Sequence, residues 1–244
     1  MTVIAHISDL HISNASFSEE VLKEVINQIN ELNPDMIILT GDITDNGYYS
    51  DFSKAIEYLS MFESPLFAVP GNHDARNVGY EIFEDIIGDL SWVLTKDNDL
   101  TVIGLDSSDP DLNKGHVGRP QQLWMESELN KSFIDSCFSI VAMHHHVIPV
   151  PKTGRERNVL SDAGDILQSL IENDVNIVMC GHKHVPHLWK MENTLIVNAG
   201  STSSIKLRGR DTNSYNTYEI NDNYIDIILN RVNGKKLSLG KFNR

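Results

Sequence analysis

The sequence predicts an α/β fold, and the order of its apolar segments is the reason. Short apolar runs at residues 3–7, 36–39, 66–69, 100–105, 139–143 and 176–180 each stop at polar residues, and helical patterns lie between several of them. Strands alternating with helices imply βαβ units and parallel pairing. Past Trp189 the pattern changes to shorter strand-like pieces at 194–197, 215–220 and 224–229, which predict a second sheet with antiparallel pairing. A chain of 244 residues can bury a substantial core, so a single domain over 1–244 is expected.

Between the first two runs, Val21, Leu22, Val25, Ile26, Ile29 and Leu32 share one helical face, with Ser16 and Glu19 as a capping box. Phe52, Ala55, Ile56 and Leu59 mark a second helix. Ile166, Leu167, Leu170 and Ile171 mark a third, capped by Asp162. The end, residues 235–244, reads as a frayed tail.

Composition narrows the function. Hydrophobic residues make up 41% of the chain, which excludes a disordered protein. No run reaches the roughly 18 apolar residues of a spanning helix, and the N-terminus has no basic leader with a cleavage site. Two cysteines, Cys137 and Cys180, make no disulfide framework, so a reducing compartment and the cytoplasm are expected. The formal charge of −14 argues against nucleic acid as a partner. It would also repel a phosphate, unless a local cationic centre overrides it.

The metal-binding residue types supply that centre. Asp9-Leu10-His11 follows the first run, Gly41-Asp42 the second, and Gly71-Asn72-His73-Asp74 the third. His144 follows the fifth and Gly181-His182-Lys183-His184 the sixth. In open α/β sheets ligands bind beyond the carboxyl ends of strands, where these residues would converge. A lone Asp-x-His or Gly-Asp is more often a turn. Turns alone do not explain five such groups in order, each behind a strand. Imidazole with carboxylate suits Mn, Fe or Zn. Asp9, His11, Asp42, Asn72, His144, His182 and His184 are more donors than one ion uses, so two ions sharing Asp42 is the economical reading. Two divalent ions against Asp9 and Asp42 leave a charge of roughly +2, which overrides the bulk field locally.

This ordered set resembles the calcineurin-like metallophosphoesterases over about residues 3 to 204. VAMHHHVIPVP and GNHD look most like the bacterial class III cyclic nucleotide phosphodiesterases. The resemblance implies a four-layer α-β-β-α sandwich with two mixed central sheets. It also implies a binuclear centre of divalent or trivalent ions, Mn or Fe first, that hydrolyses phosphate esters. Asp9, His11 and His184 would then hold one ion and Asn72, His144 and His182 the other, with Asp42 between them. His144 is chosen from the triple histidine because the family's ligand directly follows the strand. Where many relatives have a proline soon after, this chain has Val147 before Pro149. His73 would be the catalytic histidine, and Asp74 would orient it.

The other residues have blander readings. His6 is a core or locally paired histidine, and His116 and His187 are surface or rim residues. His145 and His146 adjoin the pocket, and Cys180 is a small buried strand residue. Lys206, Arg208 and Arg210 are either a solvated basic loop or a hold for a distal phosphate or base. The expected partner is a small-molecule phosphate ester, not a membrane, and an oligomer is compatible with it. A phosphodiesterase, a phosphomonoesterase or nucleotide pyrophosphatase, and a non-enzymatic scaffold of the same fold compete. The intact ligand set and His73 argue against the scaffold.

Overall fold

Two six-stranded sheets lie face to face between helices in the computed structural model, which describes residues 1–13, 15–97, 99–134, 137–153, 158–207 and 211–244. The first sheet is built on β1 (Thr2–Ile7), β2 (Met36–Thr40) and β3 (Leu66–Val69), all parallel. The second has the parallel strands β5 (Leu100–Gly104), β6 (Phe138–Ala142), β7 (Ile177–Cys180) and β9 (Thr194–Asn198). Antiparallel β4 (Trp92–Lys96) and β8 (His187–Met191) form its edges.

Period-two burial sorts the layers. On β1 and β2, Ala5, Ile7, Ile37 and Leu39 face the helices, while Ile4, Met36 and Ile38 face the other sheet. The helix side is α1 (Glu19–Leu32), α2 (Tyr49–Leu59) and α3 (Gly79–Ile86). Leu22, Val25, Ile26 and Ile29 form the buried stripe of α1. On the far side, α4 (Arg119–Ile134) and α5 (Ala163–Glu172) pack Met125, Leu129, Ile166 and Leu170 against Ile103, Val141, Val178 and Ile196. The result is the expected α-β-β-α order.

Four expectations need correction. The strands after Trp189 do not make a sheet of their own. β8 and β9 join the second sheet, whereas β10 (Ser214–Ile220) and β11 (Tyr224–Arg231) extend the first, β10 pairing antiparallel with β1. The supposed frayed tail is β12 (Lys236–Asn243), paired with β11. Leu239 is an extra residue where the register shifts at Ile227/Ile228, which hides the alternation of Leu237, Leu239 and Phe242. Leu239 and Phe242 pack against the core between the sheets. The cap of α1 is Ser18, whose Oγ accepts from Val21 N at 3.4 Å, because the helix starts at Glu19. Asp162 stands at the start of α5 but caps nothing, and its carboxylate accepts from the backbone N of Val117 and Gly118.

Ile38 is fully buried between the sheets. Ile38→Ala should therefore cost about 2–5 kcal/mol, against roughly 1 for Ser18→Ala at the α1 cap. Urea unfolding of both variants checks that ordering.

Candidate functional site

The carboxyl ends of β1, β2, β3, β6 and β7 meet at one edge, and the backbone there is unusual. Asp9, His11, Asp42, His182 and His184 have φ of 55°, 51°, 51°, 72° and 56°. Asp and His tolerate this left-handed region better than most residues, at a cost of order 1–3 kcal/mol each. In Asp9-Leu10-His11 and His182-Lys183-His184 it recurs at every second residue and turns both side chains toward one centre. The loops hold one another in that state. Asp9 N donates to Gly41 O at 3.0 Å, His11 N to Asp42 O at 2.9 Å, and Gly181 N to His144 O at 2.9 Å. Gly41, at φ 76°, has its backbone against Gly71 and the His144 ring, where a Cβ would overlap both.

The seven expected donors come together. In one group, His184 Nε2 lies 3.0 Å from His11 Nε2 and 3.2 Å from Asp9 Oδ1. In the other, Asn72 Oδ1, His144 Nε2 and His182 Nδ1 are 3.0–3.2 Å apart. Asp42 Oδ2 lies between the groups, 3.6 Å from His11 Nε2 and 3.4 Å from His144 Nε2.

These atoms fit a cation. His184 Nδ1 donates to Lys206 O at 2.9 Å and His144 Nδ1 to Thr40 O at 2.7 Å, so each turns its Nε2 to the centre, ready to hold either a proton or a metal ion there. Asp9 Oδ2 accepts from Ser8 Oγ and His182 N, which leaves the buried Oδ1 without a well-aligned donor. Lone pairs facing one another at such distances need a proton or a metal ion between them.

The titration of the groups says the same. Burial alone would raise the Asp42 carboxyl, but the charges of His144, His73 and His11 hold it well below its ordinary value. Burial likewise opposes ionisation of Asp9, and His184 brings it down. Burial would lower His144, yet Asp42, together with Asp9 and the Thr40 carbonyl, outweighs it and lifts the imidazole to about 9. Two buried carboxylates recruit positive charge, and protons supply it where a metal does not.

His73 lines the same cleft, with Nδ1 2.8 Å from Asp45 O and 3.1 Å from Asp45 Oδ1. Burial, followed by the like charges of His11 and Arg76, outweighs Asp42 and lowers its pKa. Asp74 does not orient it. Consecutive side chains diverge here, and the Asp74 carboxylate accepts from Thr44 N, Thr44 Oγ1, Gly71 N and Ile43 N at 2.8–3.1 Å. Asp74 ties the β2 and β3 loops together, while Asp45 contacts His73. Burial and the charge of Asp42 push Asp74 up to about 6.

Of the triple histidine, His144 faces Asn72, His182 and Asp42, while His145 Nδ1 turns to Ser107 Oγ at 3.0 Å. Burial, then His144, lowers His145 to about 3. The His146 ring stacks on His182 at 5.8 Å. His6 is buried between Tyr218 and Thr40, His187 packs edge-on to Trp189, and His116 pairs with Asp109 at the surface.

Sequence reasoning missed Asp45, Arg76 and Asn113. Asn113 Oδ1 accepts from Asn72 Nδ2 at 3.2 Å, turning the Asn72 oxygen to the centre. An acidic residue three places after Asp42 was a readable signal, whereas Asn113 sits in a loop with none. The hydroxyl run Ser201-Thr202-Ser203 clasps the Asp9 loop, through Ser201 Oγ to Asp9 O and Ser203 Oγ to Leu10 O. Lys206 lines the cleft of about 280 Å³, and Arg208 and Arg210 lie outside the described residues.

The profile of the calcineurin-like phosphoesterases matches residues 2–186. A probable glycerophosphodiester phosphodiesterase of Arcobacter nitrofigilis is 29% identical over 82% of this chain and 78% of its own length. A cAMP/cGMP dual specificity phosphodiesterase of Mycobacterium tuberculosis is 30% identical over 75% of this chain, which spans 61% of that protein. A dimetal phosphatase from Danio rerio shares the fold, with a TM-score of 0.77 at 12% identity and 98% of both chains covered. Among the described residues no helix is long and apolar enough to cross a membrane.

His144, held near 9, carries a proton at pH 7 that a cation on Nε2 must displace. Mn binding at pH 7 should release about one proton from it, and apparent affinity should rise with pH until roughly 9. Calorimetry in buffers of different ionisation enthalpy reads this, and a buffer-independent heat would contradict it.

Proposed function

This chain belongs to the calcineurin-like phosphoesterases, hydrolases of phosphate esters, and on that premise we propose that it is a binuclear metal-dependent phosphodiesterase of small diesters, 3′,5′-cyclic nucleotides among them. The observation that carries the reading is the pair of donor groups meeting at Asp42 Oδ2. Asp9, His11 and His184 would hold one ion, Asn72, His144 and His182 the other, and Asp42 both. When bound, the ions neutralise phosphoryl charge and lower the pKa of water toward neutrality. Mn or Fe suits the mixed nitrogen and oxygen set.

The side chains of the chain do the rest. Asp45 fixes His73 by Nδ1, so Nε2, which Arg76 Nη2 approaches at 3.1 Å in the resting site, is the atom left to serve the substrate. His73 rests neutral, since burial lowers its pKa; it would take up a solvent proton at Nε2 and, as imidazolium, give it to the departing oxygen while the P–O bond to that oxygen breaks. Water supplies the new P–O bond, so a diester gives one monoester and one alcohol. Such acid assistance is worth about 10² to 10⁴ in rate. Both named relatives are described as phosphodiesterases, which supports a diester over a monoester.

Chelation should abolish hydrolysis, and Mn should restore it better than Mg, since five of the seven donors are neutral imidazole or amide groups. Bis(p-nitrophenyl) phosphate should be cleaved faster than p-nitrophenyl phosphate. Full activity after metal removal would overturn the reading, and a strong monoester preference would move it to a phosphomonoesterase.

His73→Ala should keep the metals and lose about 10²-fold or more in kcat on cyclic AMP. It should lose less on the p-nitrophenyl diester, whose leaving group departs without a proton. Equal losses on the two substrates would make His73 a phosphate-positioning group instead.

A further inference from the structure

Arg76 enters the cleft from the turn after β3, four residues beyond Asn72, and its resting contacts are mismatched. Its guanidinium spans both nitrogens of the His73 ring, Nη1 at 2.9 Å from Nδ1 and Nη2 at 3.1 Å from Nε2. A neutral imidazole carries one N–H and one lone pair. Whichever nitrogen holds the proton, one of the two contacts therefore sets a donor against a donor. The oxygens that Arg76 reaches are the Asp45 carbonyl and the Asn113 amide, both at 3.1 Å and both neutral. Asn113 Oδ1 also accepts from Asn72 Nδ2, so the guanidinium is anchored next to a donor of the centre.

A planar fork with five N–H donors suits a phosphoryl group, and charge-assisted bonds to an anionic oxygen are about twice as strong as neutral ones. Resting on the phosphoester reading above, we propose that Arg76 is a phosphate-binding residue, parked on His73 until an anion enters. A phosphoryl oxygen replaces the His73 ring as partner of the fork. The exchange relieves the donor clash and uncovers His73 Nε2, which can then take up the solvent proton that it passes to the departing oxygen. One movement thus couples substrate capture to exposure of the acid.

The test is calorimetric titration of metal-loaded protein with inorganic phosphate, which involves no turnover, alongside elemental analysis. Arg76→Gln should keep its metals and bind phosphate about fivefold or more weakly, with Arg76→Lys, which keeps charge without the fork, in between. A smaller loss in Arg76→Gln with metals intact overturns the proposal. Should Arg76→Gln fail to fold or load metal, Arg76→Lys decides, with about threefold weakening as its threshold. Metal lost from both variants makes Arg76 a structural part of the centre and overturns it too. If the wild-type protein cleaves no diester, the diesterase reading falls, and the phosphate titration still decides Arg76.

Discussion

Two carboxylates removed from water, Asp9 and Asp42, are the constraint to which the rest of the structure answers. Burying an ion costs several kcal/mol even after relaxation, so each needs a cation or a dense set of hydrogen bonds. Both divide the task between their oxygens. Asp9 Oδ2 is held by Ser8 Oγ and His182 N, and Asp42 Oδ1 by His73 N. The other oxygen of each then faces imidazoles. A carboxylate anchored on one side cannot rotate away, so the donor array is fixed before any ion arrives.

That array is also a joint between the sheets. Asp9, His11, Asp42 and Asn72 follow strands of the first sheet, and His144, His182 and His184 follow strands of the second. Each donor group mixes the two, His184 with Asp9 and His11, and His144 and His182 with Asn72. An ion in either group would tie the sheets together at their carboxyl edge. The left-handed backbone at five of these positions is held by hydrogen bonds between neighbouring loops of each sheet, and His182 N to Asp9 Oδ2, Thr202 N to Ser8 O and His144 Nδ1 to Thr40 O lock the two sets across the joint. Metal affinity and sheet packing would then be coupled quantities.

Most of this was legible because strand ends are where local pattern and chemistry coincide. An apolar run, a glycine and a donor residue mark a place in the fold as well as a function. Elements lacking such a mark escaped. Among the described side chains of α4, Met125 and Leu129 are the buried apolar ones, with Trp124 half-buried and Leu123 exposed, so no broad helical face stood out. The bulge at Leu239 concealed β12, and which sheet the last strands join depends on contacts far along the chain. Assigning Asp74 to His73 failed because adjacency in sequence is not adjacency of side chains. Asp45, from another loop, stands in that place.

The net charge of −14 and an anionic substrate are reconciled by range. At physiological ionic strength exposed charges are screened over about 8 Å, whereas a buried, partly desolvated centre is screened far less. A small anion that has entered the cleft meets the donor centre together with Arg76 and Lys206, and the outer acids act on it only weakly. A long polyanion would extend beyond the cleft, where the excess of acidic over basic residues in the chain works against it. The same charge distribution thus admits a compact ester and disfavours an extended nucleic acid, without any contact to the part of the substrate that distinguishes one ester from another.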